Sequence, residues 1–239
     1  MGALIVSQQK VWAGKYDISG DLSAVALKHS VESKDRTTLG NATRQRLAGL
    51  RSVGMQLEGF YNAGTGNIDD QMFTNIGVDG VPVSIGPTDG SFGETAYLFN
   101  AEFASYEPGA KIGDMFAFSV QAEAADSPLV RGVILHNAAR SASGNGSGNQ
   151  LGAVTSAQRL YANIHLLSVT GSGSLIAKVQ SDDNAGFTSA TDRITFTTLT
   201  GLGSQSTSVA GAITDDYVRV NYTISGFTSV TFVVAVGIK

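Results

Sequence analysis

The sequence predicts an all-β protein whose antiparallel strands pack as a sandwich or close as a barrel. The first reason is alternation of the kind shown by Val25, Leu27, His29 and Val31, which are separated by polar or small residues. Because successive side chains of a strand point to opposite faces, this period of two is typical of a strand buried on one face. The second reason is that Gly, Asn and Asp, which favour turns, separate such runs along the chain. Almost no segment has helical periodicity.

The strands are expected at short, regular intervals. In the first half they are predicted near residues 4–18, 24–33, 50–61, 95–106 and 112–124, and a further strand runs from Leu129 to Leu135. In the second half they are predicted near residues 159–169, 174–181, 192–199, 206–211, 216–224 and 229–238. Residues 62–94 are rich in Gly, Asn and Asp and are predicted to be a long irregular segment with one short helix at 69–73.

A chain of 239 residues is long enough for two domains. We predict one β domain over residues 1–125 and a second, sandwich-like β domain over 151–239. Residues 126–150 are predicted to contain one strand followed by a mobile loop or linker, which could interrupt a hairpin rather than separate two domains. The reason is that residues 141–149 contain only Ser, Ala, Gly and Asn, which cannot bury apolar surface.

Charged residues are unusually few. They make up 15% of the chain, against about 25% in ordinary soluble domains, while hydrophobic residues make up 42%. This deficit indicates either that other copies of the chain cover the surface or that the chain is a Ser/Thr-rich secreted β protein. The net charge is −4, and no basic patch that would grip duplex DNA is visible.

Several classes of protein are excluded by what the sequence lacks. There is no Cys, which excludes disulfides, thiolate zinc sites and thiol nucleophiles. The sequence does not open on a basic segment followed by a long apolar one, and no stretch approaches the ~20 apolar residues of a membrane helix. We therefore expect synthesis in a cytoplasm, with neither a signal peptide nor a membrane anchor.

Catalytic chemistry finds little support. His29, His136 and His165 each lie within an apolar strand, where a histidine is usually a hydrogen-bonded core or interface residue. No spacing offers a metal triad or a Gly-x-Ser-x-Gly elbow. The adjacent acids Asp182 and Asp183 could coordinate calcium in a turn, although turn formation alone explains them better. No catalytic, cofactor-binding or metal-ligating residue is predicted, and the chain is expected not to be an enzyme.

Aromatic residues allow two interpretations. Trp12, Tyr16, Phe60 and Tyr61 could form a sugar-binding platform, but their strand positions favour burial in a core. Elsewhere, alternation predicts that three apolar residues share the buried face of one strand. These residues are Phe116, Phe118 and Val120.

Four short motifs follow one another in the first half of the chain. Residues 17–21 read Asp-Ile-Ser-Gly-Asp, residues 35–40 read Asp-Arg-Thr-Thr-Leu-Gly, and a strand beginning at Gly49-Leu50 follows. A later pair of strands carries the pattern Tyr97, Ala101, Phe103, Ser105, Tyr106, Ala110, Gly113, Asp114, Phe118 and Val120. In this order the motifs resemble those of the tail tube proteins, or major tail proteins, of tailed phages. The resemblance covers about residues 8–124.

The resemblance implies both a fold and a function. It implies a β domain of the phage tail tube type over residues 1–125, elaborated by a second β domain. It also implies a structural virion protein that assembles into stacked rings, forms the tail tube and conducts DNA during ejection, without a cofactor. Its partners would be other copies of itself, in hexamers or trimers of doubled domains, other tail proteins, and DNA in transient, non-specific passage.

Two polar loops, at residues 34–48 and 62–94, are long enough to reach a neighbouring ring. Asp35 is the only acid in the first loop, whose basic groups could bridge to acids of a neighbour and set the register between copies. Asp79 and Asp89 are among those acids. The candidate inter-subunit residues are Lys34, Arg36, Arg44, Arg46, Asp69 and Asp70.

Two other functions stay open on the sequence alone. A capsid-decorating or head-completion protein could use the same β units on a capsid lattice. A carbohydrate-binding β-sandwich module would instead need exposed aromatic residues in a groove.

Overall fold

The computed structural model describes residues 8–64 and 66–239, so residues 4–7 of the first predicted strand lie outside the described residues. The described part is mostly antiparallel β-structure, with 59% of residues in strands that form two sheets, which confirms the predicted fold class. Its α-helix, α1 (Ile68–Asn75), lies where a helix was predicted. The strands are β1 (Lys10–Ala13), β2 (Tyr16–Asp17), β3 (Leu22–Asp35), β4 (Arg46–Phe60), β5 (Val81–Gly86), β6 (Thr95–Gly109), β7 (Ala117–Ala124), β8 (Val130–Arg140), β9 (Gly144–Asn145), β10 (Asn149–Gln150), β11 (Arg159–Thr170), β12 (Ser174–Asp182), β13 (Thr191–Thr195), β14 (Gly203–Ala210), β15 (Tyr217–Ser225) and β16 (Ser229–Ile238).

The chain divides into two compact units, and neither is a continuous half of the sequence. The sandwich unit comprises the chain up to Gly20, Val81–Asn100 and Val130–Lys239, and the hairpin unit comprises Asp21–Gly80 and Ala101–Leu129. These boundaries differ from the predicted division into 1–125, 126–150 and 151–239. The physical reason is strand pairing, because β8 and the first half of β6 pair into the same sheet as β16, far away in the sequence.

Two sheets make up the sandwich unit. One has the order β14-β11-β16-β8-β6-β5-β1-β2, with β6 contributing its first half, and the other has the order β10-β15-β12-β13, with β9 also paired to β15. Alternate residues of both sheets meet in a shared apolar core, as Phe232 and Val234 of β16 and Val218 and Val220 of β15 illustrate. The strands predicted between residues 159 and 238 are therefore all present, and they are distributed over both sheets.

The strand β16 is buried on both faces. Phe232 and Val234 belong to the core shared with the second sheet, whereas Val233 and Ala235 belong to another apolar cluster that contains Trp12. A strand in this position needs apolar residues without alternation. This requirement explains why residues 230–236 read Val-Thr-Phe-Val-Val-Ala-Val.

The histidines separate into two kinds. His165 is fully buried, with ring nitrogen Nδ1 2.7 Å from the carbonyl oxygen of Gly14. His136 is also buried and stacks on Phe232, with ring centroids 4.2 Å apart. Both are core residues, as expected. His29 is exposed on β3 and is therefore not a core residue.

The Gly-rich stretch at residues 141–149 is not the predicted mobile linker. Gly144–Asn145 and Asn149–Gln150 form short strands that pair with β15 at the edge of the smaller sheet. Small residues suit this position, since a Cβ on Gly148 would lie only 2.5 Å from the ring of Phe187. The small residues that suggested a linker instead allow this backbone segment to lie close to the sheet.

The hairpin unit contains a four-stranded antiparallel sheet with the order β3-β4-β7-β6, to which β6 contributes its second half. One face is buried and the other is exposed, as the alternation predicts. Leu57 of β4 lies opposite Val120 of β7, and both are fully buried, whereas the neighbouring Glu58 and Gln121 are exposed. The helix α1 belongs to this unit.

Two local predictions are wrong. Val81–Gly86, placed in the irregular segment 62–94, forms the strand β5, whose residues are all buried and therefore do not alternate. Phe116 is 47% exposed and precedes β7, whereas Phe118 within β7 is 3% exposed. Phe116 precedes the first residue of β7, so the alternation of buried and exposed residues does not extend back to it.

Candidate assembly surface

The hairpin unit carries a long β-ribbon, which we call the arm and define as residues 31–51, since Val31 pairs with Arg51. β3 pairs with β4 over its whole length, but β7 pairs only with residues 54–60 of β4. Among the described strands, residues 46–53 of β4 therefore have β3 as their only partner, and β3 has no partner on its other side. The arm is a two-stranded ribbon beyond the sheet, with an open edge along β3.

Both faces of the arm are exposed to solvent. Between Val31 and Ser52, only Asn41 and Gln45 are partly buried, and every other residue is exposed. An isolated two-stranded ribbon is marginally stable in water. The arm therefore has the geometry of an element that gains contacts from another molecule.

Exposed apolar side chains are concentrated in the hairpin unit. Of the thirteen exposed large hydrophobic residues in the described part of the chain, eleven belong to this unit. The sandwich unit has only Phe92 and Leu202. Large exposed apolar patches usually mark interaction sites. The eleven residues are Val31, Leu39, Leu47, Leu50, Phe60, Phe73, Ile76, Val78, Ile112, Met115 and Phe116.

The arm tip, residues 36–45, is a preformed turn. The backbone N–H of Asn41 donates a hydrogen bond of 3.0 Å to the carbonyl oxygen of Thr38. This bond places Leu39 and Gly40 at the centre of the turn, and the side chain of Leu39 is fully exposed. Because β3 and β4 extend into the predicted loop 34–48, the connection between them is shorter than expected.

Charge is segregated within the hairpin unit. The arm contains five Lys or Arg residues and two acids, a net charge of +3. The rest of the unit, residues 21–30, 52–80 and 101–129, contains ten acids and two lysines, a net charge of −8. Such an arrangement favours contact between the arm of one copy and the acidic part of another.

The four basic candidates from the sequence all lie on the arm. Lys34 forms an ion pair with Glu32, whereas Arg36 and Arg46 donate hydrogen bonds to neutral side chains across the arm. Arg44 has neither a hydrogen bond nor an ion pair within the described part of the chain. The three arginines therefore have no carboxylate partner among the described residues.

The two acidic candidates lie on α1 and have partners within the chain. The carboxylate of Asp69 accepts hydrogen bonds from Tyr61 Oη at 3.0 Å and from Tyr106 Oη at 2.8 Å. Burial and the hydrogen bond to Asp69 raise the pKa of Tyr106 above its usual range. Asp70 is exposed and accepts a hydrogen bond from the backbone N–H of Gly66 at 3.0 Å. Asp69 thus anchors α1 to Tyr61, the residue that follows β4, and to β6.

We expect Asp69→Ala to destabilise the protein by about 1–3 kcal/mol, because it leaves two partly buried phenol groups without their acceptor. The free energy of unfolding in urea measures this loss. Asp70→Ala is the matched control, since it removes one exposed backbone contact and should cost less than about 1 kcal/mol. Equal losses from the two variants would contradict the anchoring role of Asp69.

The exposed face of the hairpin unit's sheet is acidic. Glu102 of β6 lies directly opposite Glu123 of β7, and Glu58 and Glu107 lie on either side of Ser119 across the same strands. Residues 54–60, 101–109 and 117–124 contain no Lys or Arg. Like charges directly opposite each other destabilise a sheet, so this arrangement costs stability in the separate chain.

A shallow cavity of about 320 Å³ lies at the end of this sheet, where β4 ends and β7 begins. Gly59, Phe60 and Ala117 supply apolar parts of its lining, and Glu58 and Glu107 add two carboxylates. Neither carboxylate forms an ion pair with any described residue. The cavity therefore combines apolar surface with uncompensated negative charge.

Sequence reasoning did not find the acidic half of this surface. Alternation around Leu57 and Val120 already places Glu58 and Glu123 on exposed faces. The pattern cannot show which strands are neighbours, however. The acidic face becomes visible only when β4, β7 and β6 are aligned in register.

Other proposed sites are not assembled. Trp12 is fully buried in the sandwich unit and therefore cannot form part of an exposed sugar-binding platform. Within residues 8–64 and 66–239, no three His, Cys, Asp or Glu side chains are grouped as a metal site requires. Over the same ranges, no helix is both long enough and apolar enough to cross a membrane.

Comparisons with known proteins find matches among solved structures. No protein-family model and no curated protein sequence matches the chain. A protein in the virion of a native gene transfer agent is 16% identical, with a TM-score of 0.41, over 53% of this chain and 98% of that chain. The sheath/tube terminator of an extracellular contractile injection system, PVC, is 16% identical, with a TM-score of 0.44, over 54% of this chain and 97% of that chain.

A third match extends over nearly the whole chain. The Dit protein of phage SPP1, from the hub adsorption apparatus of phages that infect Gram-positive bacteria, is 12% identical. Its TM-score is 0.41, over 98% of this chain and 100% of that chain. The chain is thus structurally similar to components of phage-like tails and contractile injection systems.

Proposed function

We propose that this protein is a structural subunit of a phage-like tail, that copies of it assemble through the hairpin unit, and that stacked rings of it form a tail tube. The observation that carries the proposal is the concentration of exposed apolar residues in this unit, eleven of thirteen in the described part. Burying apolar surface contributes about 25 cal/mol per Å². Association of copies through the hairpin unit would therefore be favourable, because it would bury these exposed apolar residues.

The open edge of β3 supplies a way to form a ring. Unpaired backbone groups along an edge strand are a template for pairing with another chain. In the proposed ring, β3 of one copy pairs with the edge of β6 of the next copy beyond Phe103, the residue at which Ile76 of the same chain already forms a bridge to β6. Because two different edges meet, the contact is heterologous and repeats around a ring until it closes. Six copies, or three copies of a doubled domain, are the proposed stoichiometries.

The acidic sheet face is suited to a passage for DNA. Proteins hold DNA mainly through Lys and Arg contacts to phosphates, and residues 54–60, 101–109 and 117–124 contain neither. If this face lines the ring, DNA passes without adhering to it. The proposed role in the virion is therefore a conduit for DNA ejection, in contact with other tail proteins at its ends.

Size-exclusion chromatography with negative-stain electron microscopy of the purified protein tests this function. We expect rings or open-ended tubes that become more abundant as the protein concentration rises. Discrete trimers would favour a capsid-decorating or head-completion role. Monomers at every concentration, or monomers that bind glycans, would contradict self-assembly.

Leu47→Ser combined with Leu50→Ser should abolish these assemblies while the subunit stays folded. Both leucines are exposed on the arm, so their replacement removes apolar surface without opening a core. Leu202→Ser is the matched control, because Leu202 is an exposed leucine of the sandwich unit. Thermal unfolding verifies that each variant is folded. Unchanged assembly of the double variant would argue against the arm as an assembly element.

A further inference from the structure

The arm tip and the cavity lie at opposite ends of the same strand. β4 begins in the arm at Arg46 and ends at Phe60, which lines the cavity. At a rise of about 3.3 Å per residue, the two ends are roughly 45 Å apart. The arm of a copy therefore points away from its own cavity. Any arm tip that fills the cavity has to come from a second copy.

The arm tip offers an apolar side chain between two cations. Leu39 is fully exposed at the centre of the turn, and Arg36 and Arg44 flank it in the sequence. Neither arginine has a carboxylate partner among the described residues. The turn is held by its own hydrogen bonds, so little conformational entropy would be lost on docking.

We propose that the arm tip of one copy docks into the cavity of the next, with Leu39 against Phe60 and with Arg36 and Arg44 facing Glu58 and Glu107. The apolar lining receives the leucine, and the two carboxylates compensate the two guanidinium groups. The inference rests on the proposed self-assembly and names its longitudinal contact. Because donor and receptor sites lie at opposite ends of β4, the contact is heterologous and generates an open-ended stack.

A second exposed turn competes for the same cavity. The backbone N–H of Asp114 donates to the carbonyl oxygen of Lys111, and Ile112 is fully exposed between them. This turn carries one cation and one anion, so it does not compensate two carboxylates. Charge complementarity therefore favours the arm tip over the turn at Ile112.

Charge reversal on both sides of the contact tests the inference. Arg36→Glu with Arg44→Glu, and separately Glu58→Arg with Glu107→Arg, should each raise the protein concentration at half-assembly by at least about tenfold. An equimolar mixture of the two double variants should assemble like the natural protein. In the mixture every reversed arm finds a reversed cavity, and every natural arm finds a natural cavity. Light scattering follows assembly, and circular dichroism confirms folding.

The mixture of the two double variants distinguishes direct contact from an indirect effect. Recovery in the mixture supports direct contact between the four residues. Two impaired variants that do not rescue each other would overturn it, as would double variants that assemble normally. Leu39→Ser should impair assembly more than Ile112→Ser, and equal losses would contradict the choice of the arm tip. If the natural protein fails to assemble at all, it is the proposed function that is contradicted.

Discussion

Phe118→Ala should leave the hairpin unit largely unfolded. Phe118 is 3% exposed and lies opposite Gly59 of β4 and Pro108 of β6, with its ring 6.0 Å from that of Tyr106. Truncating a packed phenylalanine costs about 3–5 kcal/mol. A domain is stable by only about 5–15 kcal/mol in total. Thermal or urea unfolding of the purified variant measures the loss.

Phe116→Ala is the matched control for this prediction. Phe116 is 47% exposed and makes an edge-on contact with Tyr61, with ring centroids 4.7 Å apart. Its truncation should cost less than about 1.5 kcal/mol. Alternation along the sequence assigns both phenylalanines to the same buried face, so the pair separates the sequence pattern from the structure. Equal losses of unfolding free energy in Phe116→Ala and Phe118→Ala would show that β7 begins before Ala117.

We expect the sandwich unit to lose stability as the pH falls from about 6.5 to about 4. Burial lowers the pKa of both His136 and His165 from 6.5 to about 4. The value of about 4 includes smaller effects. The positive charge of Arg140 adds to the lowering of the pKa of His136 and a backbone hydrogen bond with Ala138 opposes it, and the hydrogen bond to Gly14 opposes the lowering at His165. A fall of this size corresponds to about 3 kcal/mol for each histidine.

The loss of stability at low pH follows from the order of the folded and unfolded pKa values of these histidines. Because the folded pKa lies below the unfolded one, the unfolded chain binds the proton more tightly. The stability that the two neutral, buried histidines contribute is therefore fully present above pH 6.5 and is lost as the pH falls towards 4. Urea unfolding at a series of pH values, with a fluorescence signal from the single Trp12 of the sandwich unit, measures it.

His136→Phe should reduce this pH dependence by about half. Nε2 of His136 is buried without a hydrogen-bond partner among the described residues, and the ring stacks on Phe232. A phenylalanine keeps the stacking and cannot take up a proton. His29→Gln is the control, because His29 is exposed and belongs to the hairpin unit. A pH profile that changes with His29 and not with His136 would refute this assignment.

Much of the secondary structure could be predicted from the sequence. The strands from β11 to β16 and the helix α1 are found close to their predicted positions, because alternation and turn residues are local signals. β5 was missed for a physical reason. A strand covered on both faces does not alternate, and Pro82 and Ser84 made the run look irregular.

Part of the candidate surface was also readable in the sequence. The basic composition around Arg36, Arg44 and Arg46 identified the tip of the arm. The sequence did not show that Asp69 is engaged by two tyrosines, one of them 37 residues away. That engagement depends on how β6 is placed beside α1, which no local pattern encodes.

The sequence by itself determined that the protein is built of antiparallel sheets, that it has no disulfides, and that a basic, polar segment lies between two long strands. Only the tertiary structure decided the division into units, the isolation of the arm from any third strand, and the acidic face made by β4, β6 and β7. The physical reason is that side-chain alternation depends on the local backbone, whereas strand order depends on pairing between distant segments. Glu58 and Glu107 line one cavity because β7 lies between their strands, although 48 residues separate them in the sequence.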